Sequence, residues 1–350
     1  SMRLDSSLRF PWQMTLGAID DTSLIYEMGV EIARQCKLLG VHINFAPVLD
    51  INSNPKNPII NNRSFGESAE KVALMGLAYM QGLQDNQILA CAKHFPGHGD
   101  TDADSHKTLP VVNHFKHRLM SVELYPFQKL IKHGLGSIMV AHLHIPSLDN
   151  TKNLAASLSP KVINGLLRKE MGFKGLVFTD ALNMSGVSKY YAPGEIDVKA
   201  LMAGNDVLLF VEDIPKAISA IKQALDDKKI TQSEIDARCR KILKAKHWMG
   251  LFDYKPINVS KIKDEIITKQ TLILNKKLVK SSLTLLQNNH KFLPLKRLDT
   301  LKIASLSIGK KTDYFQNMLS NYAPVKHFNI SENPSQLEIS DLFSKLNKYN

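Results

Sequence analysis

The sequence predicts a parallel α/β fold, built from short buried strands that alternate with single helices. Two observations carry this. Between about Asp20 and Leu251, stretches of helical periodicity and short apolar runs follow one another in the order expected of βαβ units. Several of those runs also stop at an ionisable group. Val41–Ala46 leads to Asp50, Ile88–Ala92 to Lys93 and His94, Ser137–Ala141 to His142, and Gly175–Thr179 to Asp180. Ligands of parallel α/β folds sit at the carboxyl edge of the sheet, so this is where such groups matter.

The elements read in order as follows. Leu24–Leu39 is a helix with Ile25, Met28, Ile32 and Cys36 on one face, and Gly40 stops it. Strand Val41–Ala46 follows. Ser68 and Glu70 open a helix to Leu83, which leads to strand Ile88–Ala92. Ser121–His133 is helical and precedes strand Ser137–Ala141. Ser159 and Pro160 start a helix in the preferred cap-then-proline order, ending near Gly172 before strand Gly175–Thr179. A helix over Glu195–Ala203 is stopped by Gly204, and Val207–Phe210 is a short strand. Helices over Ile214–Asp226 and Ser233–Trp248 finish the region.

A closed (β/α)8 barrel has eight strands in roughly 250 residues, and this stretch supplies about five. The chain opens with the loop-like SMRLDSSLRFPWQ, not with a strand. The expected fold is therefore a (β/α)8 TIM-type barrel lacking its N-terminal strands in this chain, over residues 1–251. Residues 252–260, with Pro256, read as a linker, and residues 261–350 as the first part of an α/β sandwich domain. In that part Leu283–Leu286, Leu301–Ile308 and Val325–Ile330 read as strands, and Ile262–Ser281, Thr312–Tyr322 and Gln336–Leu346 as helices.

Bulk properties exclude some functions. The 350 residues carry a net charge of +12, but the lysines are spread along the chain without interleaved aromatics, so no nucleic-acid partner is expected. No apolar run approaches the ~20 residues that cross a bilayer, so no membrane insertion is expected. Ser1–Asp5 lacks the apolar core of a signal peptide, and Ser1-Met2 is compatible with a cloning scar, which leaves a periplasmic and a cytoplasmic location in a bacterium both open. Oligomeric state is not encoded in any pattern here. Cys36, Cys91 and Cys239 are too few and too far apart for a disulfide framework or a zinc site.

The most informative segment is Lys93–Pro110, KHFPGHGDTDADSHKTLP, with three histidines, three aspartates, two lysines and two glycines. A packed core has no use for that composition, whereas a loop that holds catalytic groups does. His94 and His98 form an HxxxH spacing, but Pro96 and Gly97 preclude the helix that would put both rings on one face. No metal and no organic cofactor is expected.

Taken together, FAPVLDINSNP (Phe45–Pro55), NNRSFGE (Asn61–Glu67), CAKHFPGHGDTDADSHKTLP (Cys91–Pro110), SIMVAH (Ser137–His142) and GFKGLVFTDALNMSGV (Gly172–Val187) resemble glycoside hydrolase family 3, in its bacterial β-N-acetylglucosaminidase branch. The segments stand in the family's order from about Arg9 to Leu251. SLTLLQNNHKFLPL (Ser282–Leu295) resembles the entry to the family's second domain. The family's first strands and its acidic, Gly-Gly-containing segment have no counterpart here.

The resemblance implies a retaining exo-glycosidase that releases terminal N-acetylglucosamine from peptidoglycan-derived saccharides. Such an enzyme needs a nucleophile on one face of the sugar and a proton donor at the leaving oxygen. Asp180 matches the nucleophile; without the resemblance, a helix N-cap is an equal reading. His106 matches the general acid/base, since imidazole titrates near neutrality, and Asp104 the carboxylate that orients it. An isolated DSH would read as a solvated turn. Gly97 and Gly99 suggest a loop able to swing the pair toward bound sugar. Lys93 and His94 match donors to sugar hydroxyls, and a lysine at a buried strand end needs a partner in any case. Arg63 reads as a hydroxyl ligand or a structural ion pair, Asp50 as a sugar ligand or a turn former, and His142 as pocket floor or core histidine. Met184 would pack beneath the sugar, and His98 reads as structural. The expected alternatives are phosphorolysis at the same site and non-catalytic binding of cell-wall saccharides.

Overall fold

The computed structural model describes residues 7–101, 108–309 and 313–349. Contacts divide the chain into two compact units, Ser1–Leu283 and Thr284–Asn350.

The first unit is organised by one parallel sheet of five strands in sequential order: β1 (Ile43–Asn44), β2 (Leu89–Phe95), β3 (Ser137–Val140), β4 (Leu176–Ala181) and β5 (Val207–Leu209). The expected parallel α/β architecture is borne out. Side chains alternate between two apolar faces. Leu89, Cys91, Met139, Leu176 and Phe178 share one face with Ile43, Phe45, Val207 and Leu209, and Ile242, Ala245 and Met249 pack on it. Ala90, Ala92, Ile138, Val140 and Val177 face the other way. There they meet the buried stripes of the helices Thr22–Leu38 and Ala69–Gln84 (Ile25, Met28, Met75, Leu83), with Phe127, Leu130, Ile163 and Leu166.

Local chemistry sets the helix starts. Asp21 accepts from the Ser23 N–H, Ser68 from Lys71 N–H, and Asp213 from Lys216 N–H, each satisfying a donor the helix cannot. Gly204 ends the helix Glu195–Ala203 at φ +109°, where an L side chain would be strained.

The amino edge of the sheet is tied by a buried ion network. Asp206, just before β5, accepts from Arg168 Nη2, from Lys241 Nζ at 2.8 Å and from the Val177 N–H at 2.9 Å. Arg168 and Lys241 also donate to the Gly175 carbonyl, at 2.6 and 3.1 Å. One carboxylate thus joins the starts of β4 and β5 to the helix Gln232–Trp248 and to the π-helical segment Lys161–Glu170.

Three elements differ from the sequence reading. The helix expected over Ser121–His133 is two shorter ones, Lys116–Ser121 and Tyr125–Lys132. Val122 leaves the helical region between them, and Pro126 fits the first turn of the second. The strand expected over Val41–Ala46 shortens to Ile43–Asn44, because Pro47 cannot donate to the ladder; pairing resumes as a bridge between Val48 and Lys93. The helix expected over Ile262–Ser281 is two, Val259–Glu265 and Lys269–Ser281, and both lie in the first unit. The Thr271 hydroxyl donates to Glu31 at 2.8 Å, and Arg34 donates to the Glu265 and Ile266 carbonyls at 2.8 and 3.0 Å.

The second unit contains β6 (Ile303–Ile308) and β7 (Val325–Ile330), paired in parallel from Ile303–Val325 to Ile308–Ile330. Helices Asp313–Leu319 and Gln336–Leu346 accompany them. Leu283–Leu286, expected as a strand, has no partner strand among the described residues, and Leu283, Leu285 and Leu286 are exposed.

Candidate active site

The register of the sheet brings the ionisable strand ends to one level. Val48 bridges Lys93, Phe95 pairs with Val140, and Val140 with Thr179. The residues just beyond, Asp50, His94, His142 and Asp180, therefore share the carboxyl edge. This edge carries cis peptides at Ala46–Pro47, Lys93–His94 and Phe95–Pro96.

Asp180 is the penultimate residue of β4 and is half-buried. Its Oδ1 accepts from the Ala181 N–H at 2.9 Å. Burial alone would raise its carboxyl, but the neighbouring His94 and His142, that N–H and Lys93 outweigh it, and the group sits below its ordinary range. It is a carboxylate kept ionised at the mouth of a sheet, with one oxygen engaged by backbone. Lys93, also half-buried, responds in the opposite sense. Burial, then Arg63, push its ammonium below the ordinary value, while Cys91, Asp180 and Asp50 counteract.

His94 is 6% exposed. Its Nδ1 donates to Asp50 Oδ2 at 2.7 Å, and its Nε2 lies 3.4 Å from Arg63 Nη2. Arg63 ends a single 3-10 turn, Asn61–Arg63, and its Nη1 donates to the Ile59 carbonyl at 3.2 Å. Asp50 is fully buried and accepts from the backbone N–H groups of His94 (3.1 and 3.2 Å) and His98 (2.7 Å). Burial opposes its ionisation, yet His94, His98 and these hydrogen bonds hold it down to about 2. His142 is also fully buried; its Nε2 donates to the Ala181 carbonyl at 2.9 Å, and its Nδ1 is 2.7 Å from Ser157 Oγ. It thereby fixes the carbonyl of the residue that follows Asp180. Met184, 8% exposed, caps the short helix Ser185–Ser188 beyond β4.

The structure thus gathers Lys93, His94, Arg63, Asp50, His142 and Asp180 at one edge. Asp104 and His106 lie outside the described residues. The approach to them is built as follows. Asn57 Nδ2 donates to the carbonyls of His98 and Gly99 and to Thr101 Oγ1, at 2.8, 3.2 and 3.2 Å. His98 Nδ1 is 2.8 Å from Thr101 Oγ1, and burial keeps that imidazole below its ordinary value. Beyond, His114 Nε2 pairs with Asp100.

The glycines of this segment have a different reason than expected. A Cβ on Gly99 would stand 1.7 Å from the Ile51 carbonyl oxygen, and one on Gly97, at φ +128°, 2.7 Å from Glu123 Cβ. Both are required by close packing of Gly97–Thr101 onto its supports. Glu123 is itself buried, pushed up by burial and held by Arg118 Nη1, which donates to both carboxylate oxygens at 2.8 and 2.9 Å.

Sequence reasoning missed Asn57, Ser157, Glu123 and Arg118. Only Asn57 left a trace, as a polar residue between Pro55 and Pro58, in the gap between two segments singled out. Among the described residues, no group of three His, Cys, Asp or Glu side chains could hold a metal ion, and no helix is long and apolar enough to cross a membrane.

An ionised carboxylate beside cationic and imidazole donors stands at the edge where parallel α/β domains hold their ligands. Residues 1–245 match the description "Glycosyl hydrolase family 3 N terminal domain", and the chain belongs to that family. Beta-hexosaminidase A of Pseudoalteromonas piscicida is 36% identical over 234 residues, covering 61% of this chain and 39% of that protein. A family 3 β-N-acetylglucosaminidase structure from Paenibacillus sp. str. FPU-7 superposes with a TM-score of 0.82 at 34% identity, over 99% of this chain and 68% of that one. The β-glucoside phosphorylase BglX superposes with a TM-score of 0.82 at 25% identity, over 93% of this chain and 62% of that one. The chain spans well under two thirds of the Pseudoalteromonas protein.

Proposed function

We propose that this chain carries the reacting edge of a retaining exo-β-N-acetylglucosaminidase that acts on peptidoglycan-derived saccharides. The observation that carries the reading is Asp180: a carboxylate at a strand tip, held ionised, with only one oxygen engaged by the adjacent backbone. In that role it attacks the anomeric carbon; the C–O bond to the leaving group breaks and a glycosyl ester forms. His106, oriented by Asp104, protonates the departing oxygen and then takes a proton from the water that resolves the ester. Lys93 and Arg63 bind sugar hydroxyls, and Met184 packs beneath the ring. Asp50 and His142, fully buried, act from behind. The likeness to proteins named as hexosaminidases supports N-acetylglucosamine as the sugar. The five strands are read as part of a (β/α)8 barrel completed by strands outside this chain, and Thr284–Asn350 as the opening of the sandwich domain.

The test is turnover of a chromogenic β-N-acetylglucosaminide against the matching glucoside by the full-length gene product. Preference for the N-acetyl sugar, with the β-anomer released first, is expected. Inversion, or full activity of Asp180→Asn, would overturn the reading. Phosphorolysis is the second reading, favoured by the likeness to a protein named as a phosphorylase. Faster turnover in phosphate than in a non-nucleophilic buffer would select it.

A further inference from the structure

Asp50 is the most completely enclosed charge of the first unit's carboxyl edge. It is 0% exposed, and both oxygens accept hydrogen bonds from a segment more than 40 residues away in sequence. Its own carbonyl accepts from Ser64 Oγ at 2.6 Å. It therefore joins three pieces of chain: the exit from β1, the turn that bears Arg63, and the end of β2. An aspartate that merely shaped its own turn would bond a backbone group two residues on. Asp50 bonds an imidazole ring instead.

That ring is asked for one tautomer from both sides. A carboxylate can only accept, so the nitrogen facing Asp50, His94 Nδ1, carries a proton. A guanidinium can only donate, so the nitrogen facing Arg63, Nε2, offers a lone pair. Lys93, the residue preceding His94, lies within electrostatic reach of Arg63, Asp180 and Asp50.

We propose that Asp50 is a positioning residue: it does not touch the sugar, but fixes the orientation of His94 and its Nδ1–H tautomer, so that Nε2 accepts from Arg63 and holds that guanidinium toward the sugar. This deepens the glycosidase reading and rests on it for its kinetic part alone. It replaces the His94 contact expected from sequence, in which the ring itself was a donor to the sugar.

Asp50→Asn keeps the shape and swaps one acceptor oxygen for a donor. The amide NH2 then faces Nδ1, the ring is driven to the Nε2–H form, and a donor is aimed at Arg63. Neutron diffraction from crystals of the full-length gene product reads the tautomer directly. The expected result is hydrogen on Nδ1 and none on Nε2 in the parent, and the reverse in Asp50→Asn. With the chromogenic N-acetylglucosaminide, Asp50→Asn loses roughly 10- to 100-fold in kcat/KM. His94→Ala loses a similar factor, and the double variant loses no more than His94→Ala alone, since Asp50 acts through the ring. A parent ring with hydrogen on Nε2 overturns the proposal, and so do losses that multiply in the double variant. Should Asp50→Asn fail to fold, the parent tautomer still decides. Should Asp180→Asn retain turnover, the glycosidase reading falls while the tautomer result stands on its own.

Discussion

The two edges of the first unit's sheet each hold an aspartate among cations, and they are built differently. At the amino edge Asp206 is enclosed by Arg168, Lys241 and the Val177 N–H, and both cations also reach the Gly175 carbonyl. Every charge there finds its counterpart inside the protein. At the carboxyl edge Asp180 is half-buried, bonded to its neighbour's N–H, and influenced by His94, His142 and Lys93 through space. A network closed by its own partners contributes to folding. One left partly open has residual capacity for a ligand. Charge is common to both edges; incomplete satisfaction within the protein is what sets the carboxyl edge apart.

The comparison can be broken at either edge. Asp180→Asn is expected to lower kcat of the full-length gene product by roughly 10⁴-fold or more while leaving its melting temperature nearly unchanged; a small kinetic effect would equate the two edges. Asp206→Ala is expected to do the opposite. It leaves Arg168 and Lys241 without their carboxylate and costs about 3 kcal/mol or more in denaturant unfolding, with kcat of the folded fraction within a few-fold of the parent. A third change sharpens the carboxyl edge. Gly99→Ala forces a methyl into the Ile51 carbonyl, and is expected to cost about 2 kcal/mol and to reduce turnover through the displaced segment; an unchanged melt and turnover would show the packing there to be loose.

The smallest expected effect is on pH dependence. The Asp50 carboxyl falls from an ordinary 3.8 to about 2 in the folded protein. A depressed carboxylate stabilises the fold above its unfolded value, and that contribution is lost as pH falls from about 4 through about 2. It amounts to roughly 2 kcal/mol at about 1.4 kcal/mol per pH unit. Acid unfolding of Asp50→Asn should accordingly be shallower than the parent's across that window. A parallel pair of curves would contradict it.

How much of this was legible in the sequence follows from the range of the interactions. Asp180 and the Lys93–His94 pair were visible because an apolar run that stops at a charge is a local signal, and a strand end is where that signal acquires meaning. The same holds for the helix start at Ser68. What each aspartate binds was not visible. The Asp50–His94 bond spans 44 residues and the Arg168–Asp206 pair 38; both depend on the register of neighbouring strands, which no local pattern encodes. Helix Lys269–Ser281 misled for the same reason. Its tie to Glu31 crosses 240 residues, whereas Pro256 offered a nearer and more obvious place to divide the chain. Gly97 and Gly99 read as freedom because sequence shows a missing side chain, and not the carbonyl that requires its absence.

As the proposed nucleophile, Asp180 becomes bonded to the sugar through a carboxylate oxygen. The direct measurement is mass spectrometry of the full-length gene product after incubation with a 5-fluoro N-acetylglucosaminyl fluoride, which forms the glycosyl ester faster than water resolves it. The account predicts one added glycosyl group, located on the peptide that contains Asp180 and absent from Asp180→Asn. A label on any other carboxylate, or steady turnover with no covalent adduct and an inverted product, would contradict it.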